Sequence, residues 1–443
     1  MRAGARPMQS IARMRIAAHP ATRLLAPGAV AVAALALASA RPIAKDGFAL
    51  RDGDRVVFYG DSITEARHYT TFVETYVVTR FPRLDATFVH SGWGGDGVNG
   101  GHGGDIDTRL ARDVLAYEPT VLTIMLGMND GGTRAFDAGV FETYAAGYRH
   151  ILDSVRRSRP GLRITVLRPS PYDDVTRAPD FPGGYNAVLI RYGQFVQDLA
   201  DKEGLIVADL NDPVVKVLTR AKAADPAAAA GLIPDRIHPG PQVTLVMAQA
   251  LLQAWNAPAI VTDVEIDAAG KAATRQIGTQ VKDVRAGDGI AWTQLDEALP
   301  MPFDVNDPLV ALVLRSSDFV SALDRQPLAV RGLPSGRYGL RIDAEPVGSF
   351  TSEQLASGIN LAELPTPMAK QAAEVHALTV EHNALHGMRW RRVQVQFEQT
   401  PSPELTEALR ALDALEGTVV KRQRAAAQPR PRRYELTAET AAH

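Results

Sequence analysis

The chain has 443 residues, enough for a catalytic domain and one or two further units. Its 48 Lys and Arg nearly balance 50 Asp and Glu, for a formal net charge of −2, and no basic block stands out. That composition excludes a binder of nucleic acid or of anionic membrane driven by charge, and the absence of Cys excludes disulfides and a cysteine-borne lipid anchor.

In chain order, the first 25 residues carry Arg and no acid, and the short apolar run Ala29 to Ala38 follows, ending in Ala38-Ser39-Ala40. Basic region, apolar core and small-residue cleavage site together read as a secretory signal peptide over residues 1–40. The apolar run is shorter than the ~20 residues that span a bilayer. The expectation is therefore a bacterial protein exported to the periplasm or beyond, with no stable membrane insertion.

From about residue 50 to 258, short apolar runs alternate with amphipathic segments, the pattern of βαβ units on a parallel sheet. Strands are expected at 55–59, 86–90, 121–126, 164–167 and 205–208, with helices near 64–79, 106–117, 137–157, 186–202, 212–224 and 240–256. Crossovers of this kind cover both sheet faces and give a three-layer α/β/α domain. Beyond Pro258 the texture changes to period-two alternation at 261–266, 309–314 and 338–342, which reads as a β-rich accessory unit over 260–350. A helical segment with a final strand at 390–397 is expected over 351–398, and residues 399–443, rich in Pro, Arg, Ala and Glu, read as a tail that is disordered after one short helix. The junction at 255–260 has no Gly/Ser spacer, so the accessory unit is expected to dock on the α/β domain.

Parallel sheets place ligands at the carboxyl ends of their strands. Three strand ends and one late loop carry chemistry here: Gly60-Asp61-Ser62, Gly92-Trp93-Gly94-Gly95-Asp96, Gly127-Met128-Asn129-Asp130 and Asp235-Arg236-Ile237-His238. A serine hydroxyl needs a base within reach and a third group to orient that base; Ser62, His238 and Asp235 are of the right types. Gly95, Asn129 and the Ser62 N–H could meet the charge of a tetrahedral intermediate. Each motif alone has a structural alternative: Ser62 or Thr64 as a helix cap, Asp235 to His238 as a surface turn, Gly95 and Asn129 as turn formers.

Taken together, in this order and at these positions, the four blocks resemble those of the SGNH, or GDSL-like, hydrolase family over about residues 50–256. The resemblance implies Ser62 as nucleophile, His238 as general base and acid, Asp235 as its orienting partner, and Ser62, Gly95 and Asn129 as the oxyanion hole. It also implies a flavodoxin-like strand order of 2-1-3-4-5 and no cofactor. The family places an Asn ahead of the glycines in its second block, where this chain has His90.

The long Gly-rich loop makes Trp93 and His102, together with Asp61, candidate substrate contacts. Gly95 to Gly100 fits a dinucleotide pattern, but no helix follows at once, and that reading is set aside. His382 and His386, with His376 nearby, have zincin-like spacing, yet Asn383 occupies the position of the catalytic Glu, so no metal is expected. Trp292, Trp390 and Tyr338 could form a sugar-stacking platform, although core positions suit such residues better. The expected function is hydrolysis of a short-acyl ester, such as acetyl, on a carbohydrate or other small alcohol through an acyl-enzyme. An O-acyltransferase with the same triad is the alternative, and an inactive exported carbohydrate-binding protein a weaker one.

Overall fold

The computed structural model describes residues 47–287 and 289–439; the expected signal peptide lies outside them. Five parallel strands form the central sheet: β1 (Arg55–Gly60), β2 (Thr87–Gly92), β3 (Val121–Met125), β4 (Arg163–Arg168) and β5 (Ile206–Asp209). Their order is β2-β1-β3-β4-β5, the expected 2-1-3-4-5. In β1 every residue after Arg55 is buried and in β3 every residue is, because central parallel strands are covered on both faces and read as continuous apolar runs. Crossovers are supplied by α1 (Ser62–Glu65), α2 (His68–Arg80), α3 (Ile106–Asp113), α4 (Ala138–Ser158), α5 (Gly184–Glu203), α6 (Asp212–Ala224) and α7 (Pro241–Ala254).

The region beyond Pro258 holds two further sheets. A four-stranded sheet contains β6 (Asp263–Asp267), β7 (Ala272–Ile277) and β10 (Pro327–Arg331), with the short strand Ile359–Asn360 at its edge. A five-stranded antiparallel sheet contains β8 (Thr279–Ala286), β9 (Gly289–Asp296), β11 (Arg337–Ile342), β12 (Glu345–Thr351) and β13 (Arg432–Ala438). Between β9 and β10 in sequence lies α8 (Pro308–Ser316). Two long helices, α9 (Pro367–Gly387) and α10 (Pro403–Ala426), pack against each other.

Three expectations are corrected. Residues 309–314 form part of helix α8, not a strand: Asp307 caps it, accepting from the N–H of Leu309 at 2.8 Å, and Pro308 starts it. Leu312 and Val313 join the core of the α/β domain, so the accessory unit is not a β module from end to end. Residues 390–397 continue the helix through a π-helical turn, Met388–Gln394. The supposed disordered tail is ordered through residue 439. Ser402 caps α10, whose Ala, Glu and Arg are strong helix formers and whose buried side is narrow, comprising Val419, Gln423 and Ala426. β13 then inserts in the middle of its sheet, between β9 and β11, with Tyr434 and Leu436 inward.

Helix α2 explains why the accessory region is docked. It is buried at 11 of its 13 positions, including polar ones, because α7 and α9 both pack on it. A polar helix can be buried only if its groups find partners, and α9 supplies them. Asn383 donates to Thr71 Oγ1 at 3.0 Å, His376 Nδ1 lies 3.0 Å from Thr75 Oγ1, and His382 Nδ1 lies 2.9 Å from Glu74. At its end, Arg80 donates to the carbonyl of Leu323 and pairs with Asp324 at 3.3 Å.

Removal of everything after Gln428 deletes the middle strand of the five-stranded sheet and exposes the inner faces of β9 and β11. The expected outcome is a chain without a single cooperative unfolding transition, recovered mainly as aggregate. Calorimetry of the truncated and full-length proteins checks it, and unchanged unfolding would show β13 to be dispensable.

Candidate active site

The carboxyl end of β1 runs through Gly60 and Asp61 into α1, and the tightness of this turn sets the position of Ser62. A Cβ on Gly92, at the end of the neighbouring strand, would lie 2.2 Å from the backbone nitrogen of Glu65, so only glycine lets β2 approach α1 this closely. The residue that caps α1 is Asp61, which accepts from the Ile63 N–H at 3.0 Å. Ser62 is thereby released from capping. Its hydroxyl lies 2.8 Å from His238 Nε2, and His238 Nδ1 lies 2.5 Å from Asp235 Oδ2. Asp235 also accepts from the N–H groups of Ile237 at 3.0 Å and His238 at 2.8 Å. Burial raises the Asp235 pKa, but these hydrogen bonds outweigh it and hold the carboxyl below its ordinary value. An ionised Asp235 keeps the proton on Nδ1, leaving Nε2 to accept from the serine. Both side chains are open to water, His238 at 44% and Asp235 at 53% exposure.

The loop carrying Asp235 and His238 is held from a side that the sequence motifs did not reveal. Arg236 has a left-handed backbone, φ 70°, uncommon for a residue other than glycine. Its carbonyl accepts from the Asp173 N–H at 2.9 Å and its guanidinium approaches Asp180 at 3.4 Å. Arg177 donates to the carbonyls of Ile233 and Pro234, both at 2.9 Å. The loop after β4 thus grips the turn just ahead of the imidazole.

On the other side of Ser62 lies the Gly-rich loop. Gly95 adopts φ 79°, which favours glycine, and a Cβ there would lie 2.7 Å from the His102 ring. A Cβ on Gly94 would stand 3.8 Å from that of Ser62, so this loop borders Ser62. Asn129 donates through Nδ2 to the carbonyl of Asp96 at 2.8 Å, which ties the third block to the second and leaves one amide hydrogen uncommitted by that bond. The Ser62 N–H begins α1, where helix N–H groups have no intrahelical acceptor. Ser62, Gly95 and Asn129 are therefore brought to one place.

Beneath the loop sits Arg109, fully buried, donating to Asp96 Oδ2 at 2.5 Å, to the Ser91 carbonyl at 2.7 Å and to Asp113. Nothing in the local sequence marks this residue, since a lone Arg on a helix normally reads as solvated. Asp61 and Trp93 are corrected as substrate contacts: Asp61 is 1% exposed and caps α1, and Trp93 is 7% exposed, edge-on to Trp390 with ring centroids 5.6 Å apart. His102 does remain exposed beside Gly95. His90, in the position of the family's Asn, points away from the loop to Thr70 at 2.8 Å and Glu74 at 3.0 Å.

The set-aside motifs also have observed roles. Residues 97–105 form a small hairpin, Gly100–Gly101 against Gly104–Asp105, before α3 starts. His382 is flanked by Glu74 and by Glu416 at 3.0 Å; burial opposes its charge, but the two carboxylates prevail and raise its pKa to about 10. Trp292, Tyr338 and Trp390 are all buried.

Residues 58–243 match the model of the GDSL-like lipase/acylhydrolase family. An acetylxylan esterase from Geobacillus stearothermophilus is 26% identical over 220 residues, 45% of this chain and 93% of that protein. The structure of a gut microbial diltiazem-metabolizing enzyme superposes with a TM-score of 0.78 at 25% identity, covering 90% of this chain and all of that one. That likeness extends beyond the α/β domain into the accessory region.

Burial raises the Asp61 pKa from 3.8 to about 7, with Asp130 and Asp96 adding repulsion. A raised folded-state pKa means the stability contributed by the neutral acid is fully present below the unfolded value and is lost as pH rises through about 7. Asp61→Asn keeps the capping oxygen and removes the titration. The variant is expected to match wild type in thermal stability near pH 4 and to exceed it at pH 8; equal pH profiles would refute the assignment.

Proposed function

We propose that this chain, whose residues 58–243 form a GDSL-like lipase/acylhydrolase domain, is a serine esterase that works through an acyl-enzyme. The observation that carries this reading is the unbroken relay from Ser62 Oγ to His238 Nε2 and from His238 Nδ1 to Asp235. His238 takes the serine proton as Oγ attacks the ester carbonyl, and Asp235 stabilises the imidazolium that results. The new oxyanion is met by the N–H groups of Ser62 and Gly95 and the free amide hydrogen of Asn129. Collapse expels the alcohol, protonated by His238, and the same imidazole then deprotonates water to release the acid.

For the substrate we propose a short acyl group, acetyl first, on a carbohydrate or another small alcohol. The acetylxylan esterase relative supports it, and so does the openness of His238 and Asp235 to solvent, which suits a leaving group presented from a large glycan. Water as acceptor makes the enzyme a hydrolase; a sugar hydroxyl in its place would make it a transferase with the same triad.

With p-nitrophenyl acetate, Ser62→Ala and His238→Ala are each expected to lower kcat by ~10⁴-fold or more, Asp235→Asn somewhat less, and the Ser62→Ala/His238→Ala pair no further. Wild-type rates in Ser62→Ala would overturn the assignment. On acetylated xylan, free acetate should account for the acetyl lost even with a second sugar present; acetyl found on that sugar would establish the transferase.

A further inference from the structure

The family domain ends near residue 243, yet two residues of the accessory π-helical turn Met388–Gln394 reach the loop beside the nucleophile. Trp390 donates its indole N–H to Asp113 Oδ1 at 2.6 Å, the carboxylate that also pairs with Arg109. Its ring lies edge-on to Trp93. Arg391 follows, and its guanidinium stands 3.5 Å from the centre of the Trp93 ring while Nη1 donates to Glu65 Oε1. The other oxygen of that carboxylate, Oε2, accepts from the Gly94 N–H at 2.7 Å.

Glu65 therefore sits between two tasks. It lies three residues after Ser62, on the same short helix, so its backbone moves with the nucleophile. Its carboxylate fixes the Trp93–Gly94 peptide, one ahead of the peptide that carries the N–H of Gly95, the proposed oxyanion donor. A lone half-exposed carboxylate has several rotamers, and water competes for the Gly94 N–H. Arg391 removes that freedom by holding one oxygen, while its flat guanidinium closes over Trp93. A π-helical turn widens a helix locally and is often found at functional sites; here it brings two consecutive side chains, Trp390 and Arg391, onto the catalytic domain.

Resting on the reading of Ser62 as the nucleophile, we propose that Arg391 is a positioning residue for ester hydrolysis: through Glu65 and Trp93 it fixes the Gly94–Gly95 turn so that the Gly95 N–H faces the oxyanion. The accessory region is on this account part of the catalytic apparatus. The Arg391 and Glu65 side chains are 26% and 39% exposed, and ion pairs so exposed contribute little to folding. Function and stability should therefore separate on mutation.

The test uses the full chain, with p-nitrophenyl acetate as substrate and an aryl trifluoromethyl ketone as probe. Ser62 Oγ adds to the ketone carbon, the carbonyl π pair becomes the hemiketal oxyanion and the hydroxyl proton passes to His238, so its affinity reports oxyanion stabilisation directly. Losing a whole oxyanion donor costs ~10²–10³ in kcat; a loosened one should cost less. For Arg391→Gln we expect kcat to fall about ten- to a hundredfold, KM to stay within about twofold, ketone binding to weaken by the same factor as kcat, and the unfolding midpoint to hold. Arg391→Lys keeps the charge for Glu65 without the flat stack and should recover part of the loss. Glu65→Gln should resemble Arg391→Gln, with the double variant no worse than the poorer single. Unchanged kcat in Arg391→Gln, a loss carried by KM alone, or ketone affinity that does not follow kcat would overturn the proposal while an inert Ser62→Ala left the esterase reading standing. Turnover by Ser62→Ala at the wild-type rate would instead overturn both.

Discussion

The buried guanidinium of Arg109 is the constraint on which the rest of the site depends. A cation removed from water must be matched on nearly every N–H, and removing one partner of such a group costs ~3–5 kcal/mol. Its partners here come from four places in the chain: Ser91 at the end of β2, Asp96 in the Gly-rich loop, Asp113 within its own helix and, through Asp113, Trp390 of the accessory region. Because the Asp96 carboxylate is fixed by Arg109 and its carbonyl accepts from Asn129, the second and third sequence blocks are held in register by one charge. The glycines permit the turn, and Arg109 decides which turn it is.

A related logic governs α2. In an isolated α/β domain this crossover helix would turn Thr71, Glu74 and Thr75 to solvent, and its polar outer face would need no explanation. In this chain the same residues are covered and satisfied by α9, with Glu74 additionally meeting His90 and Gln423. His90 thus completes a buried polar network between domain and accessory region. That network and the Arg109 cluster flank β2, the edge strand of the sheet, from its two sides. An edge strand is a liability when open, and α10 lies alongside it: Arg424 donates to the carbonyls of Leu84 and Ala86 just ahead of β2.

The parts legible in the sequence were those set by local periodicity. The five strands lie within about two residues of the expected runs at 55–59, 86–90, 121–126, 164–167 and 205–208, since a doubly covered parallel strand has little choice of composition. Ser62, Asp235 and His238 were legible because chemistry limits residue type and the strand ends limit position. What stayed hidden depends on partners distant in sequence. Arg391 and Glu65 are 326 residues apart, and nothing near either one marks it. The run Leu309 to Leu314 is apolar throughout and suits strand or helix equally; the Asp307-Pro308 start, which decides it, was overlooked. The extent of α10 and the order through residue 439 were not legible, because a helix that buries one narrow stripe has nearly the composition of an unfolded segment.

The place of β13 has a consequence for how the protein comes into being. Its partners, β9 and β11, leave the ribosome roughly 90 to 150 residues earlier, so the antiparallel sheet stays divided until residues 432–438 emerge. Contacts this far apart in sequence are slow to form. The α/β domain, whose strands pair mostly with neighbours in the chain, can fold well before that moment. Helices α9 and α10, packed on each other and leading into β13, settle only once that strand has emerged. The polypeptide therefore acquires the support of its Gly-rich loop late, after the strands that carry Ser62 and the loop that carries His238 have already emerged.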